Sequence, residues 1–193
     1  MNKRSAEETK RNILAATRKV FAEQGYEQAS MRTIAREAGV SVGGLYLYFR
    51  SKEEIYLTLT QEWMEELNAM TVKELASMKD PRDAIAAFIR ISIDYALKRK
   101  EMILLQGKEL GFTFGSDLKK KFFRDRRGLI VTIINKGIDN GVFRDCDAEE
   151  TAKVIFGVLR GFIVSMLFDE EALFTSEECE NLVLNGLVRR DSA

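Results

Sequence analysis

A single proline, Pro81, punctuates 193 residues. Apolar residues meanwhile recur at steps of three and four rather than two, as in Ile13, Ala16 and Val20, or Ile55, Leu59, Trp63, Leu67 and Met70. Strand-built folds need frequent turns and period-2 alternation, and this chain offers neither. The pattern predicts an all-α protein.

Helix starts are marked by short polar side chains followed three residues later by an acid, the capping-box spacing. The pattern occurs at Ser5–Glu8, Ser51–Glu54, Asp147–Glu150 and Thr175–Glu178. Ser30, Ser41 and Ser116 read as further caps, and Asp80-Pro81 as an N-cap with proline at the first helical position. Gly25, Gly39, Gly111 and Gly141 read as stops. About nine helices result. Three short ones fill residues 1–50, and six longer ones fill 51–193, including stretches near 52–78, 81–99, 101–110 and 148–168. Residues 112–116 read as a loop.

Charge separates the same two segments. Residues 1–52 hold ten Lys/Arg against five Asp/Glu, a net of +5, and the remainder carries −5. A basic head on an acidic body is the footprint of a domain that meets a polyanion. The chain has no histidine. This removes the commonest general base and metal ligand and argues against an enzyme or a bound cofactor. The two cysteines, Cys146 and Cys179, are too few for a disulfide framework and suit a reducing cytoplasm. No apolar run reaches membrane-spanning length, and the charged N-terminus lacks a signal-peptide core.

Within the head, two short helices joined through Ala38-Gly39-Val40-Ser41 form a helix-turn-helix, whose second helix enters the DNA major groove. The stretch SMRTIAREAGVSVGGLYLYFRSKEEIY, residues 30–56, resembles the DNA-binding signature of the TetR family of bacterial transcriptional regulators. The resemblance rests on Ile34-Ala35, Ala38 to Ser41, Leu45-Tyr46, Tyr48-Phe49 and Lys52-Glu53, with Phe21 and Gly25-Tyr26 matching the preceding helix. It implies a dimeric, sequence-specific regulator, in the family most often a repressor, released from a near-palindromic operator by a small-molecule effector. Ser41 and Lys52 then sit at helix N-termini that favour phosphate, and Tyr46 reaches the DNA backbone. Ser30, Arg32 and Thr33 open the first helix of the motif. Val42, Gly43 and Gly44 open the recognition helix, while Leu45 and Phe49 pack inward on Ile34 and Phe21. Tyr48 fits either core or DNA. Many members of the family carry polar residues near positions 42 and 44; here valine offers only an apolar contact to a thymine methyl. Replacing Gly44 by Ser or Asn is expected to change sequence preference.

The resemblance makes the remainder an effector-binding and dimerisation domain. Its aromatics favour a mainly hydrophobic effector, with Trp63, Phe88, Ser92, Tyr95, Phe112, Phe114 and Phe156 as pocket candidates. Lys119 to Lys121 with Arg124, Arg126 and Arg127 form a basic cluster, read either as a solvated helix face or as a site for a phosphate-bearing anion such as an acyl-CoA. Gly157, Gly161 and Ser165 form a row of small residues for close helix approach, either within the chain or across the dimer interface that the resemblance places on the last two helices.

Overall fold

A computed structural model describes residues 3–105, 115–166, 168 and 174–188. Among these residues there are nine helices: α1 (Lys3–Gln28), α2 (Met31–Glu37), α3 (Val42–Tyr46), α4 (Lys52–Leu75), α5 (Pro81–Lys98), α6 (Lys100–Leu105), α7 (Ser116–Asp139), α8 (Ala148–Ser165) and α9 (Ser176–Leu187). The expected end of the sixth helix at Gly111, the 112–116 loop apart from its last two residues, and the pocket candidates Phe112 and Phe114 lie outside the described residues. None of the described helices is long and apolar enough to cross a membrane.

The caps explain most boundaries. Backbone N–H groups of Thr33, Gly44, Arg82, Glu150 and Glu178 donate to the side chains of Ser30, Ser41, Asp80, Asp147 and Thr175. Each bond satisfies a donor that has no partner inside the helix. Ser5 is an exception: α1 already runs from Lys3, so Ser5 lies inside the first turn, where its carbonyl accepts from Thr9 Oγ1 at 2.8 Å. Gly25 breaks α1 with φ 77° and ψ 171°, a left-handed conformation open to glycine. The break turns Tyr26 into the interior, where its ring lies 5.4 Å from Phe21 and 5.8 Å from Tyr56.

The chain divides into two compact units, Met1–Trp63 with Glu101–Gly115, and Met64–Lys100 with Ser116–Ala193. The first has a continuous core containing Ile13, Phe21, Tyr26, Ile34, Leu45, Phe49, Ile55, Tyr56 and Leu59. The opening turns of α4 are thus part of the head's core. In the second unit α5 is buried along a broad stripe that includes Ile85, Phe88, Ile89 and Ile93, and it packs against α7, α8 and α9. The α7–α8 turn is tied to the end of α9, Arg144 N donating to Leu187 O at 2.9 Å.

Candidate nucleic-acid interface

The recognition helix α3 has five residues, too few to persist alone. It is held by two side chains that it buries, Leu45 and, just beyond its end, Phe49. Its start is fixed by Ser41 Oγ, which accepts from Gly44 N at 2.9 Å. The connection from α2 turns at Gly39, φ 66°, and Val40 N donates back to Ala35 O at 3.0 Å. Position and orientation of α3 therefore follow from the head's core.

This anchoring leaves one face outward. Val42 is 37% exposed, Tyr46 51% and Leu47 80%. Val42 and Tyr46 are one turn apart, and so are Gly43 and Leu47, so the four form a single patch. Leu47 escaped the sequence reading. Its signal was phase, since it follows Gly43 by four while the anchors are Leu45 and Phe49. Arg36 was missed for the same reason. It stands one turn after Arg32 on α2, and both are exposed and make no ion pair among the described residues. Lys19 and Arg18, by contrast, are held at 2.7 Å by Glu37 and Glu62. Ser30 and Thr33 pair with each other, Oγ to Oγ1, at 2.8 Å.

The geometry bears on three of the expected contact residues. A Cβ on Gly44 would meet Ser41 Oγ at 3.0 Å, whereas one on Gly43 would meet nothing within 4 Å. Position 43, not 44, is the open one, because the residue whose amide is capped turns its side-chain direction back over the cap. Lys52 is no free phosphate arm: its half-buried ammonium donates to the carbonyls of Tyr26 (2.5 Å), Ala29 (2.9 Å) and Glu27 (3.4 Å). It also lies 4.2 Å from the Tyr26 ring centre. Tyr48 packs against the head's core. Nearby, Glu53's own backbone amide and the Ser51 hydroxyl hold its carboxyl below the usual range, as expected at a helix N-terminus.

Gly43→Ala and Gly44→Ala should therefore separate. Alanine at 43 should stabilise the head by up to about 1 kcal/mol through helix propensity. Alanine at 44 must displace the capping hydroxyl and should cancel that gain. If thermal denaturation gives both variants the same shift, the cap does not discriminate the two positions.

The pocket candidates fall into separate groups. Phe88 and Phe156 are ring neighbours at 6.1 Å, and Phe156 meets Phe123 at 6.3 Å. Ser92 Oγ accepts from Arg126 NH2 at 2.7 Å. Tyr95 instead donates to Glu66 Oε2 at 2.8 Å, beside Arg99, and burial pushes its hydroxyl up to about 12. Trp63 packs on the head's core, since α4 has already joined that core through Ile55, Tyr56 and Leu59. The basic cluster also splits. Arg126 is buried in phase with Ile130, Ile134 and Gly137. Lys120, Arg124 and Arg127 join Lys153 and Arg160 around an open groove of about 420 Å³. Asp117, Asp125, Glu149 and Glu150 pair with four of these five cations. On α8, Gly157 and Gly161 are exposed with open space at their Cβ positions. Ser165 is buried, its hydroxyl donating to Phe162 O, so it does not extend their row. Val154 and Val164 do, at steps of three and four, with Phe168 just beyond the helix and Leu182 exposed on α9.

A core-anchored helix-turn-helix with an outward recognition face and exposed arginines beside it defines a DNA-binding protein. Residues 13–59 match the model of bacterial regulatory proteins of the tetR family. The chain thus carries the DNA-binding region of this family and is a DNA-binding transcriptional regulator. It is 28% identical over 166 residues to an uncharacterized HTH-type transcriptional regulator, YhgD of Bacillus subtilis (strain 168), with 84% of each chain covered. Two solved structures share the fold. A TetR transcription regulator from Haloarcula marismortui is 20% identical with a TM-score of 0.80, covering 95% of this chain and 100% of that one. FadR from Bacillus subtilis in complex with stearoyl-CoA is 21% identical with a TM-score of 0.75, covering 91% and 97%.

Proposed function

We propose that two copies of this chain grip a near-palindromic DNA operator and repress transcription until a small molecule binds in the body and releases them. In this proposal residues 1–50, with the opening turns of α4 that complete their core, form the DNA-reading head, and the rest of 51–193 supplies the effector-binding and dimerising body, acting in the cytoplasm. The observation that carries it is the exposed patch of Val42, Gly43, Tyr46 and Leu47 on a helix whose other side is buried. A helix start bearing valine and glycine reads few base edges through hydrogen bonds. Specificity then leans on thymine-methyl contact at Val42, on Arg32 and on DNA shape. Ser30, Thr33, Ser41 and Tyr46 position the head on phosphates, and Arg36 adds charge.

Dimerisation is assigned to α8 and α9. Val154, Gly157, Gly161 and Val164 make a shallow strip along α8, and Leu182 of α9 adds an apolar knob. A two-fold axis through such a strip places it against its own copy, and apolar side chains left in water favour that burial. A structure of similar fold holds stearoyl-CoA, in keeping with a ligand bound within the body.

The test is binding to DNA upstream of the chain's own gene against scrambled DNA at fixed salt. The proposal expects at least about 10³-fold preference and two protomers per site. Equal affinities end it. Tyr46→Phe should weaken binding about fivefold on every sequence alike, the loss of one hydrogen bond of about 1 kcal/mol, at unchanged melting temperature. A lower melting temperature would assign Tyr46 to the core instead.

A further inference from the structure

Arg126 is 2% exposed. Its NH1 donates to Thr71 Oγ1 at 3.0 Å and its NH2 to Ser92 Oγ at 2.7 Å. Those hydroxyls spend their own protons on Leu67 O and Phe88 O at 2.7 and 2.6 Å, so both turn oxygen lone pairs toward the guanidinium. The Phe88 ring centre lies 4.4 Å from Arg126 Cζ, and that of Phe122 5.5 Å. No carboxylate among the described residues forms an ion pair with it. A buried cation held only by neutral dipoles and rings recovers little of its lost hydration. Burial accordingly pulls the guanidinium down to about 10, which still leaves it charged at neutral pH. Three residues before Thr71 on α4, Asn68 has a buried side-chain oxygen without a hydrogen-bond partner. Among the described residues the same region thus holds a charge without a counter-ion and a side-chain amide not fully engaged.

We infer that the effector is an organic monoanion, an apolar carboxylate, whose charged group pairs with Arg126 among Thr71, Ser92 and Asn68. The inference rests on the reading of the body as an effector domain. A guanidinium offers five donors in a planar fork that fits a carboxylate edge-on, and the described residues take two of them. One cation balances one negative charge; a dianionic phosphate would carry excess charge into the core. The rings of Phe88, Phe122 and Phe156 supply an apolar surface for the rest of the molecule. Asn68, turned about its amide, can donate to the second carboxylate oxygen. A neutral hydrophobic effector would leave Arg126 uncompensated.

The experiment uses the full chain, with octanoate and benzoate as probes and octanamide and benzamide as uncharged matches. Each acid at millimolar concentration should raise the wild-type melting temperature by about 3 °C or more, the linkage effect of an excess of bound ligand. Each amide should raise it far less. R126M removes an unpaired buried charge and should melt no lower than wild type without ligand, while losing the response to acids. R126K keeps the charge without the fork and should respond at least about tenfold more weakly, the worth of one charge-assisted bond. This second variant decides the matter if R126M does not fold. No response of wild type to either acid, amides as effective as acids, or variants that respond like wild type each overturn the inference. A wild type that responds to acids but does not distinguish its upstream DNA overturns the regulator reading instead.

Discussion

Lys52→Met should destabilise the DNA-binding head by about 2–3 kcal/mol and weaken operator binding through loss of folded head, not loss of a phosphate contact. Beyond the break at Gly25 the chain passes from α1 to α2 through a last turn whose carbonyls have no following helical amides to accept from. Those carbonyls and the partial negative charge of the helix end converge on one ammonium, from α4, against Tyr26, Glu27 and Ala29. Methionine keeps the apolar stem and removes all three donors. Water replaces them only in part, because the site is half-buried. This link precedes α2, so its loosening should release Ser30 and the start of the helix-turn-helix. Amide hydrogen exchange across residues 26–33 should accelerate together with the fall in melting temperature. If the variant melts like wild type yet loses DNA affinity, Lys52 works on phosphate and its hydrogen bonds here are incidental.

Lys52 also shows where the sequence could be read and where it could not. Its neighbourhood, Ser51 through Glu54, announces a helix start, and Glu54 N does donate to Ser51 Oγ at 3.2 Å. Caps of this kind involve residues three apart, so spacing alone reveals them. The same holds for the all-helical fold and for Leu45 and Phe49 as the anchors of α3. What Lys52 touches lies 23 to 26 residues away, and nothing local encodes it. Gly43 and Gly44 pose the opposite difficulty. They are adjacent in a helix of five residues, too short to display a hydrophobic period, so only the Ser41 cap tells which of them faces out. Arg126 was legible in principle. Counted with Ile130, Ile134 and Gly137 it sits on the buried row of α7, but its charged neighbours in sequence masked the phase. Ser165 was misplaced by a row of strict i+4 steps. The exposed face of α8 follows alternating steps of three and four, from Val154 through Gly157 and Gly161 to Val164, and drifts off Ser165.

Gly137→Ala should be the most damaging single-methyl change in the body. A Cβ at 137 would stand 2.0 Å from Phe143 Cδ2, 2.4 Å from Cε2 and 2.7 Å from Cγ. Such contacts demand that the ring or the helix move, and both are held. Val142 and Phe143 amides donate to Gly137 O at 2.9 and 3.0 Å, so the residue that would push on the ring also anchors the turn that carries it. Arg144 N binds Leu187 O, and Arg144 Nε binds Gly186 O, fixing the far side of the turn to α9. Relief therefore costs hydrogen bonds as well as packing. The penalty should reach the upper end of overpacking, about 3 kcal/mol, lowering the melting temperature by roughly 6–12 °C in a chain of this size. Gly128, on the same helix with open space at its Cβ position, is the control, and alanine there should be neutral or stabilising by up to about 1 kcal/mol. Phe143→Ala alone opens a cavity and should cost about 3–5 kcal/mol. Combined with Gly137→Ala it should cost less than the sum, because the added methyl enters the space the ring vacated. Strict additivity of the two, measured by denaturant unfolding, would mean the ring escapes the methyl by another route and that the turn is looser than its hydrogen bonds imply.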